Sequence, residues 1–417
     1  MDKLRIIGGR PLSGRVPIAG AKNAALPALA ATLLTGDPVE VGNLPGVRDV
    51  RTMLRVLEQL GAVANRLDGG AVRVQIDRFA SFEAPYDLVK TMRASVLVLG
   101  PMLARHGRAR VSLPGGCAIG ARPINLHLEG LEKMGAEVTL EHGYVEARAD
   151  RLRGTRYTFP VKSVGATENL MMAASLADGT SVLANCAKEP EIVDLAEMLN
   201  AMGGSVSGAG TDEITIEGRT SLHGAKHDVI ADRIEAGTYL VAGALLGDPI
   251  ELTGCRVDHL QPVVQQLRKT GAKIVIEGDG IRVSAPERLV AHDLSTAPHP
   301  GYPTDMQAQY MALMTQAHGA SVIAETIFER RFMHVGELQR MGADIRIQGH
   351  SCVVVGPTRL TAAQVMATDL RASASLVLAA LVADGETVVD RVYHLDRGYE
   401  SMETKLRAVG AEVERIR

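Results

Sequence analysis

The chain of 417 residues repeats one sequence phrase six times. In each copy a helical stretch ends in a Gly-Ala or Gly-Gly step, and an alternating strand follows. The spacings between successive copies are 74, 68, 68, 71 and 68 residues, longer than the period of about 20 to 50 residues that solenoids show. We therefore predict closed domains of three units each rather than a solenoid. The six marker glycines are Gly61, Gly135, Gly203, Gly271, Gly342 and Gly410.

A second phrase lies between the copies and consists of an Ala- and Leu-rich helix, a glycine turn and a β-branched strand. Leu and Ala at helical spacing predict a helix that is buried on all sides, whereas the helix of the first phrase is amphipathic. The sequence therefore predicts an α/β fold whose units close around their own buried helices. The six copies start at Leu26, Val96, Asn169, Thr238, Gln309 and Ser375.

Six such units divide into two domains of three. The last unit ends in a lone strand, 411–416, and we predict that the N-terminal strand, 3–7, pairs in the same half. The predicted domains are then residues 20–229 for domain one, and 1–19 with 230–417 for domain two.

Charge and composition exclude several classes of function. The net charge of −3 and an aromatic content of 3% give no general attraction to nucleic acid or anionic lipid and little material for base stacking. The apolar stretches are shorter than the ~20 residues that span a bilayer, and the N-terminus lacks the apolar region of a signal peptide. No CxxC pair, nucleotide-binding glycine loop or zinc-protease motif is present. We predict a cytoplasmic protein with no metal, membrane or nucleic-acid partner, and its oligomeric state is left open.

The segment 113–123 has the sharpest local composition. Three glycines and two prolines in eleven residues exclude a helix or strand interior. This loop carries Cys117 and, five residues later, Arg122, and a nearby cation favours thiolate chemistry. A functional thiol and a small buried hydrophobe are both open interpretations of Cys117. The other three cysteines are interpreted as buried apolar side chains: Cys186, Cys255 and Cys352.

Two short segments precede buried helices and carry polar side chains. Lys22 and Asn23 are predicted just before a helix start, because Pro27 is tolerated only in the first helical turn. A lysine there is either an anion-binding group or a solvated side chain. Asp305 is predicted at or near the start of a helix over residues 306–317, as an N-cap or as a catalytic carboxylate.

Four arginines recur at equivalent places of different units, each in a loop before a helix. A single loop arginine is usually solvated, but several arginines at equivalent repeat positions could bind a small polyanion, since guanidinium groups match carboxylate and phosphate bidentately. They are Arg93, Arg331, Arg371 and Arg397.

Seven motifs then identify a family. The runs GAKNAALP, PGGCAIGARPINLH, VGATENLMMA, PHPGYPTDMQAQ, FERRFMHVGELQRMGA, MATDLRASASLVLAAL and HLDRGYE resemble the UDP-N-acetylglucosamine 1-carboxyvinyltransferases over essentially the whole chain. The resemblance implies two inside-out α/β barrel domains, each of three βαβαββ units. It implies transfer of the enolpyruvyl group of phosphoenolpyruvate to the 3′-hydroxyl of UDP-N-acetylglucosamine by addition and elimination, with release of phosphate and no cofactor. This is the first committed step of peptidoglycan synthesis, on which cell-wall biogenesis, cell shape and cell division depend.

The resemblance also implies roles for individual residues. The catalytic residues would be Cys117, Asp305, Lys22, Arg397 and Asp369, and Cys117 would also form the pyruvate adduct and be the target of fosfomycin. Phosphoenolpyruvate would be bound by Lys22, Asn23, Arg122, Arg331, Arg371 and Arg397. UDP-N-acetylglucosamine would be bound by Asn23, Arg93, Arg122, Pro123, Ile124, Asn125, Leu126, Lys162, Ser163, Val164, Gly165, Asp305 and Ile327. The family often has a Lys-Val-Ser-Val-Gly run at this point, and here the run from Lys162 to Gly165 is one residue shorter.

Two alternatives stay open. An enzyme similar to 5-enolpyruvylshikimate-3-phosphate synthase would share the fold and the donor, although the PGGCAIGARP and YPTDMQAQ runs favour the aminosugar enzyme. A catalytically silent sensor of the UDP-sugar is the other alternative, although Lys22, Cys117, Asp305 and Arg397 fill the expected catalytic positions.

Overall fold

The computed structural model describes residues 2–90, 92–113, 124–278 and 280–417. These residues form two compact units, which we call the terminal unit (2–19 and 231–417) and the central unit (the described residues of 20–230). The chain passes between the units at 19/20 and at 230/231. The second of these points lies one residue after the predicted boundary.

In chain order the strands are β1 (Lys3–Ile7), β2 (Leu12–Pro17), β3 (Val39–Gly42), β4 (Val63–Arg66), β5 (Val72–Gln75), β6 (Glu83–Ala84), β7 (Arg108–Ser112), β8 (Glu137–Glu141), β9 (Tyr144–Arg148), β10 (Arg156–Thr158), β11 (Thr180–Ala184), β12 (Val206–Ser207), β13 (Glu213–Glu217), β14 (Lys226–Asp228), β15 (Gly247–Thr253), β16 (Lys273–Glu277), β17 (Gly280–Ser284), β18 (Leu294–Ser295), β19 (Gly319–Ala324), β20 (Asp344–Gln348), β21 (Ser351–Gly356), β22 (Gln364–Met366), β23 (Glu386–Asp390) and β24 (Glu412–Ile416).

The α-helices are α1 (Lys22–Ala31), α2 (Arg48–Leu60), α3 (Tyr86–Val89), α4 (Leu99–His106), α5 (Asn125–Lys133), α6 (Val164–Ala174), α7 (Pro190–Ala201), α8 (Arg233–Leu246), α9 (Gln261–Lys269), α10 (Gln307–Met314), α11 (Val335–Arg340), α12 (Leu370–Val382) and α13 (Met402–Ala408). Short 3-10 helices span Thr32–Leu34, Asp68–Gly70, Arg93–Val98, Val257–Leu260, Thr304–Met306 and Leu395–Arg397.

Each of the six repeat units forms one four-stranded sheet, with a parallel pair of strands at one edge and two antiparallel strands beyond it. The second unit is an example: β6 pairs parallel with β7, β7 antiparallel with β9, and β9 antiparallel with β8. Apart from the short helix α3 and the 3-10 helix Arg93–Val98, its elements in chain order are β6, α4, β7, α5, β8 and β9, so the unit has the βαβαββ pattern. The prediction of an α/β fold with three such units per domain is confirmed.

In the terminal unit and in the central unit alike, a strand that is distant in sequence completes the set of three sheets. In the terminal unit β1 pairs antiparallel with β24 and β23, which confirms that the N-terminal strand joins the last repeat. In the central unit β14 pairs parallel with β3 of the first repeat. Each unit therefore closes on itself rather than stacking as a solenoid.

The helices divide into an inner and an outer set. The inner helices α1, α4 and α6 of the central unit and α8, α10 and α12 of the terminal unit are buried along most of their length. Near the end of each outer helix lies one of the six repeat glycines, and all six have φ between 89° and 108°. Only glycine adopts this left-handed conformation without strain, which explains why it recurs in every copy.

Cys186, Cys255 and Cys352 are buried, as predicted. Burial raises the pKa of the Cys186 and Cys352 thiols to about 12. Within the described part of the chain, no helix is both long and apolar enough to cross a membrane.

Candidate active site

In both units the candidate residues collect where the inner helices begin. In the terminal unit Asp232 caps α8 and Asp369 caps α12, each accepting hydrogen bonds from two backbone N–H groups of its helix. The third inner helix, α10, is preceded by the 3-10 turn that contains Asp305. The repeat therefore places three carboxylates at equivalent positions. We call Asp305 and the charged residues around it the terminal cluster.

Two arginines hold the carboxylate of Asp305. Arg331 donates from Nη2 to Oδ1 at 2.6 Å, and Arg371 donates from Nε and Nη2 to Oδ2 at 3.1 and 2.9 Å. The arginine side chains are only 6% and 4% exposed, whereas Asp305 is 26% exposed. The Asp305 side chain is thus partly exposed to solvent, while the side chains of its two cationic partners are buried.

The environment of Arg371 keeps its guanidinium charged. Burial by itself would lower the pKa of this group, but the charges of Asp305, Tyr399 and Asp232 together raise it above the ordinary value. The guanidinium also lies 5.5 Å from the centre of the Tyr399 ring, within the range of a cation–π interaction. Its Nη1 atom is buried and has no hydrogen-bond partner among the described residues.

Asp369 lies beside a buried histidine. Its Oδ1 accepts from the backbone N–H groups of Arg371 and Ala372 at 2.8 and 3.0 Å. Burial lowers the pKa of His334 to about 4; the charge of Asp369 opposes this shift and that of Arg331 adds to it. The imidazole is therefore neutral at physiological pH.

Two further predicted residues of the terminal unit lie in turns. Arg397 ends the 3-10 turn Leu395–Arg397 and is half-buried. Ile327 is half-buried in the segment after β19, and its backbone N–H donates to Glu325 Oε1 at 2.9 Å.

The predicted placement of Arg371 is wrong, and the N-cap, one of the two open interpretations of Asp305, is excluded although Asp305 does lie near the start of its helix. Arg371 is the second residue of α12 rather than a loop residue, because Asp369 caps the helix two residues earlier. Met306, and not Asp305, occupies the N-cap position of α10. The side chain of Asp305 is engaged by Arg331 and Arg371 instead.

In the central unit, Lys22 and Asn23 are the first two residues of α1. The prediction that they precede the helix is wrong, because Pro27 lies inside it. A proline removes one backbone hydrogen bond, and residues 24–31 are all buried, so packing outweighs this loss. The Lys22 ammonium lies 3.5 Å from Asp49 Oδ2, and both side chains are largely buried, at 12% and 4% exposure.

Arg93 begins the 3-10 helix before α4 and lies close to a histidine that sequence analysis did not single out. Burial, with a smaller contribution from Arg93, lowers the pKa of His127 to about 3. Asn169 Nδ2 lies 2.9 Å from His127 Nδ1. A neutral imidazole that accepts at Nδ1 carries its proton on Nε2. The Nε2 edge of the ring lies near Gly165, where a Cβ atom, if one were present, would be 3.7 Å from Nε2.

The run from Lys162 to Gly165 leads into α6. Ser163 is the N-cap, and its Oγ accepts from the Ala166 N–H at 3.3 Å. The Lys162 ammonium donates to Cys186 O at 2.9 Å and to Asp212 Oδ1 at 2.6 Å. Lys162 is therefore already part of an ion pair at the edge of this segment.

Cys117, Arg122 and Pro123 lie outside the described residues. Ile124 and Leu126 are buried, and Asn125, the first residue of α5, is exposed and donates to Glu129 Oε1 at 2.9 Å. Among the described residues, no group of three or more His, Cys, Asp or Glu side chains could hold a metal ion.

Comparison with known proteins identifies the family. The model of the family EPSP synthase (3-phosphoshikimate 1-carboxyvinyltransferase) matches residues 6–406. Proteins from Geobacter metallireducens and Solibacter usitatus, both named UDP-N-acetylglucosamine 1-carboxyvinyltransferase, are 56% and 57% identical to this chain, with all of each chain covered. The chain belongs to the UDP-N-acetylglucosamine 1-carboxyvinyltransferase family.

Solved structures agree with this relationship. The enolpyruvyl transferase NikO from Streptomyces tendae matches with a TM-score of 0.91 at 27% identity, over 99% of this chain and 98% of that one. An EPSP synthase from Acinetobacter baumannii matches with a TM-score of 0.77 over the full length of both chains. At 18% identity the second match shows the fold alone.

Proposed function

We propose that this enolpyruvyl transferase moves the carboxyvinyl group of phosphoenolpyruvate to the 3′-hydroxyl of UDP-N-acetylglucosamine and releases phosphate. The observation that supports this proposal most is the carboxylate of Asp305, which faces solvent and is fixed by two buried arginines. This arrangement supplies a positioned acceptor for a proton next to cations that suit an anionic donor. The product would enter peptidoglycan synthesis.

Asp305 would accept the proton of the attacking hydroxyl. A general base needs hydrogen-bond reach to the proton that it removes, and the contacts to Arg331 and Arg371 fix the position of the carboxylate. Addition at C2 of the donor with protonation at C3 gives a tetrahedral ketal. Loss of phosphate from C2 and of a proton from C3 then yields the enol ether. The intermediate on either side of the ketal has oxocarbenium character, which nearby carboxylates such as Asp305 and Asp369 stabilise electrostatically.

Cationic side chains would bind the phosphate and carboxylate groups of the donor. Guanidinium groups bind both anions bidentately, and Arg331 and Arg371 already hold a carboxylate, that of Asp305, in this way or singly. In the central unit the N-terminal end of α1, which has no side-chain cap, adds the positive end of the helix dipole to the ammonium of Lys22. The full proposed donor-binding set is Lys22, Asn23, Arg122, Arg331, Arg371 and Arg397.

The acceptor would be recognised by the remaining predicted residues, and no cofactor takes part in the proposed reaction. The N-terminal end of α6, with Ser163 as its cap, suits a diphosphate. Cys117 would serve as general acid or in product release. Since both substrates are cytoplasmic metabolites, the proposal places the reaction in the cytoplasm. The acceptor-binding set is Asn23, Arg93, Arg122, Pro123, Ile124, Asn125, Leu126, Lys162, Ser163, Val164, Gly165, Asp305 and Ile327.

The test is phosphate release from phosphoenolpyruvate by the purified protein. We expect release with UDP-N-acetylglucosamine and none with shikimate-3-phosphate. Release with shikimate-3-phosphate alone would instead assign the chain to the other branch of the fold. Binding of the UDP-sugar without any release would indicate a sensor rather than an enzyme.

A further inference from the structure

Glu325 is a buried carboxylate to which neither the sequence motifs nor the proposed reaction gives a role. It follows the last residue of β19, is 2% exposed, and accepts four hydrogen bonds. Oε1 accepts from Thr296 Oγ1 at 2.9 Å and from the backbone N–H groups of Ile327 and Phe328 at 2.9 and 3.3 Å. Oε2 accepts from Thr304 Oγ1 at 2.8 Å. Four donors match the acceptor capacity of one carboxylate, so the group is satisfied without a cationic partner.

The contact through Thr304 leads to the proposed base. The Thr304 hydroxyl oxygen accepts from Arg331 Nη1 at 2.8 Å, and Arg331 Nη2 donates to Asp305 at 2.6 Å. Because a guanidinium can only donate, the single hydroxyl proton of Thr304 is directed to Glu325. The orientation of the Arg331 fork, and through it that of Asp305, is thus set by the Glu325 carboxylate.

The contacts through Oε1 lead to the segment that contains Ile327. Glu325 binds the N–H groups of Ile327 and Phe328 directly, while Thr296 Oγ1 accepts from the Thr326 N–H at 2.9 Å. Thr326 Oγ1 in turn donates to Thr296 O at 2.7 Å. The segment 326–328 is therefore fastened to β18 and its continuation by the same carboxylate that fixes Arg331.

We propose that Glu325 is a positioning residue that holds the acceptor contact at Ile327 in register with the Asp305–Arg331 pair. The inference rests on the proposed function, since the roles of Ile327 and Asp305 belong to it. Oε1 holds the segment that contains Ile327, the proposed acceptor contact. Oε2 holds, through Thr304, the proposed base Asp305 and the donor-binding Arg331. The acceptor hydroxyl and its base are then aligned by one buried group that touches neither substrate.

Thr304 and Thr296 allow the hydrogen bonds on the two sides of Glu325 to be removed separately. We call the contacts of Oε2 and those of Oε1 the two arms of this carboxylate. Thr304→Val removes the hydroxyl between Glu325 and Arg331 at nearly constant volume, and Thr304→Ser keeps it. Thr296→Val removes the hydroxyl on the Oε1 side, and Thr296→Ser keeps it. Glu325→Gln weakens both arms, because an amide presents one acceptor oxygen in place of two. Steady-state phosphate release would be measured for all five variants, with thermal unfolding as the measure of folding.

We expect Thr304→Val to lower kcat and raise the KM for phosphoenolpyruvate, while the KM for the UDP-sugar stays within about 2-fold of wild type. Thr296→Val should raise the KM for the UDP-sugar and leave kcat nearly unchanged. Each effect should be about 10-fold, as for loss of one hydrogen bond to a charged group. Both serine variants should recover most of the loss, and Glu325→Gln should show both effects together.

Two results would overturn the inference. If the two valine variants alter the same kinetic parameters, Glu325 stabilises the fold without aligning substrates. If Glu325→Gln keeps wild-type kinetics while it folds normally, the carboxylate positions neither arm. The wild-type protein separates these outcomes from failure of the proposed function, because an inactive wild type would refute that function and this inference with it.

Discussion

The two units share one fold but differ in how their candidate residues are held. In the terminal unit Asp305 makes three hydrogen bonds to two arginines, and these arginines are buried. In the central unit the Lys22 ammonium lies 3.5 Å from Asp49 Oδ2, and Arg93 lies near a neutral histidine. The same helix ends therefore carry a carboxylate held by two buried arginines in one unit and cationic side chains in the other.

This difference follows from what the fold supplies at these positions. The N-terminal end of a helix favours anions, because its first N–H groups are unsatisfied. In the terminal unit Asp232 and Asp369 use these groups as caps, and the arginines then neutralise the added negative charge. In the central unit α1 has no side-chain cap and begins with a lysine, so its N–H groups and ammonium can act together on a ligand anion. We infer that the terminal cluster is preorganised for catalysis, while the central residues serve mainly in binding.

The largest effect should come from breaking the terminal cluster at Asp305. Asp305→Asn keeps the shape but removes the charge that pairs with Arg331 and Arg371, and it removes the proposed base. We expect kcat to fall about 10²–10⁴-fold, the range for loss of general base catalysis. The free energy of unfolding should fall by about 3 kcal/mol, since two buried guanidinium groups lose their counter-charge. Phosphate release and urea unfolding measure the two effects.

Asp344→Asn is a matched control for this variant. Asp344 is an exposed aspartate of the same unit that pairs with Arg346, also exposed, so its replacement should change neither activity nor stability appreciably. Equal activity of Asp305→Asn and wild type would remove Asp305 from the reaction. Unchanged stability would show that the arginines find other partners.

A smaller effect is expected when the central unit is changed at Lys22. Lys22→Gln removes a cation proposed to bind phosphoenolpyruvate, and loss of one hydrogen bond to a charged group corresponds to a fall of about 10- to 100-fold in kcat/KM for the donor. Because the contact with Asp49 is long, at 3.5 Å, its loss should lower stability by only about 1 kcal/mol. Binding affinity for phosphoenolpyruvate and a urea titration test both parts. A loss of stability as large as that of Asp305→Asn would contradict the contrast between the units.

The fold could be predicted from the sequence because the same structural unit is encoded six times, in nearly independent copies. Each glycine that ends an outer helix is required by its positive φ, and each inner helix is apolar on all sides. The pairing of β1 with β24 followed from the missing last strand of the sixth copy. The start of α1 was mispredicted because a local rule about Pro27 was applied to a helix that burial dominates.

The candidate site was only partly predictable. Motifs named Asp305, Arg331 and Arg371, but only the folded chain shows that one carboxylate joins both arginines. Sequence analysis missed Glu325, although its place in the alternation of the strand pointed to it. Ser321, Ile323 and Glu325 are alternate residues, and all three are buried. A charged residue that continues the inward-facing positions of a strand indicates a satisfied buried group.

The pH dependence of stability should sharpen the comparison through one buried histidine in each unit. Burial lowers the pKa of His127 to about 3 and that of His334 to about 4, while both titrate near 6.5 in the unfolded chain. The unfolded state therefore binds protons first, and stability is lost as pH falls below about 6.5. At pH 5 each histidine should cost about 2 kcal/mol.

Urea unfolding at pH 7, 6, 5, 4 and 3 measures this dependence. The variants His127→Gln and His334→Gln should each show a shallower loss than wild type over this range, whatever their stability at pH 7. In wild type the contribution of His334 should level off near pH 4 and that of His127 nearer pH 3, because Asp369 opposes the shift only at His334. Parallel profiles for wild type and both variants would show that other groups dominate acid unfolding.

The smallest effect is expected at Lys162, the proposed nucleotide contact that is already paired. Its ammonium is held by Asp212 and by the Cys186 carbonyl, so a substrate phosphate would compete with existing partners. We expect Lys162→Met to raise the KM for the UDP-sugar by less than about 3-fold, a typical limit for one solvent-accessible ion pair. Asp212→Asn frees the ammonium from its carboxylate partner and should lower this KM slightly. A rise of more than about 10-fold for Lys162→Met would mean that the ammonium leaves Asp212 for the nucleotide. The ion pairs around Lys162 would then rearrange on binding.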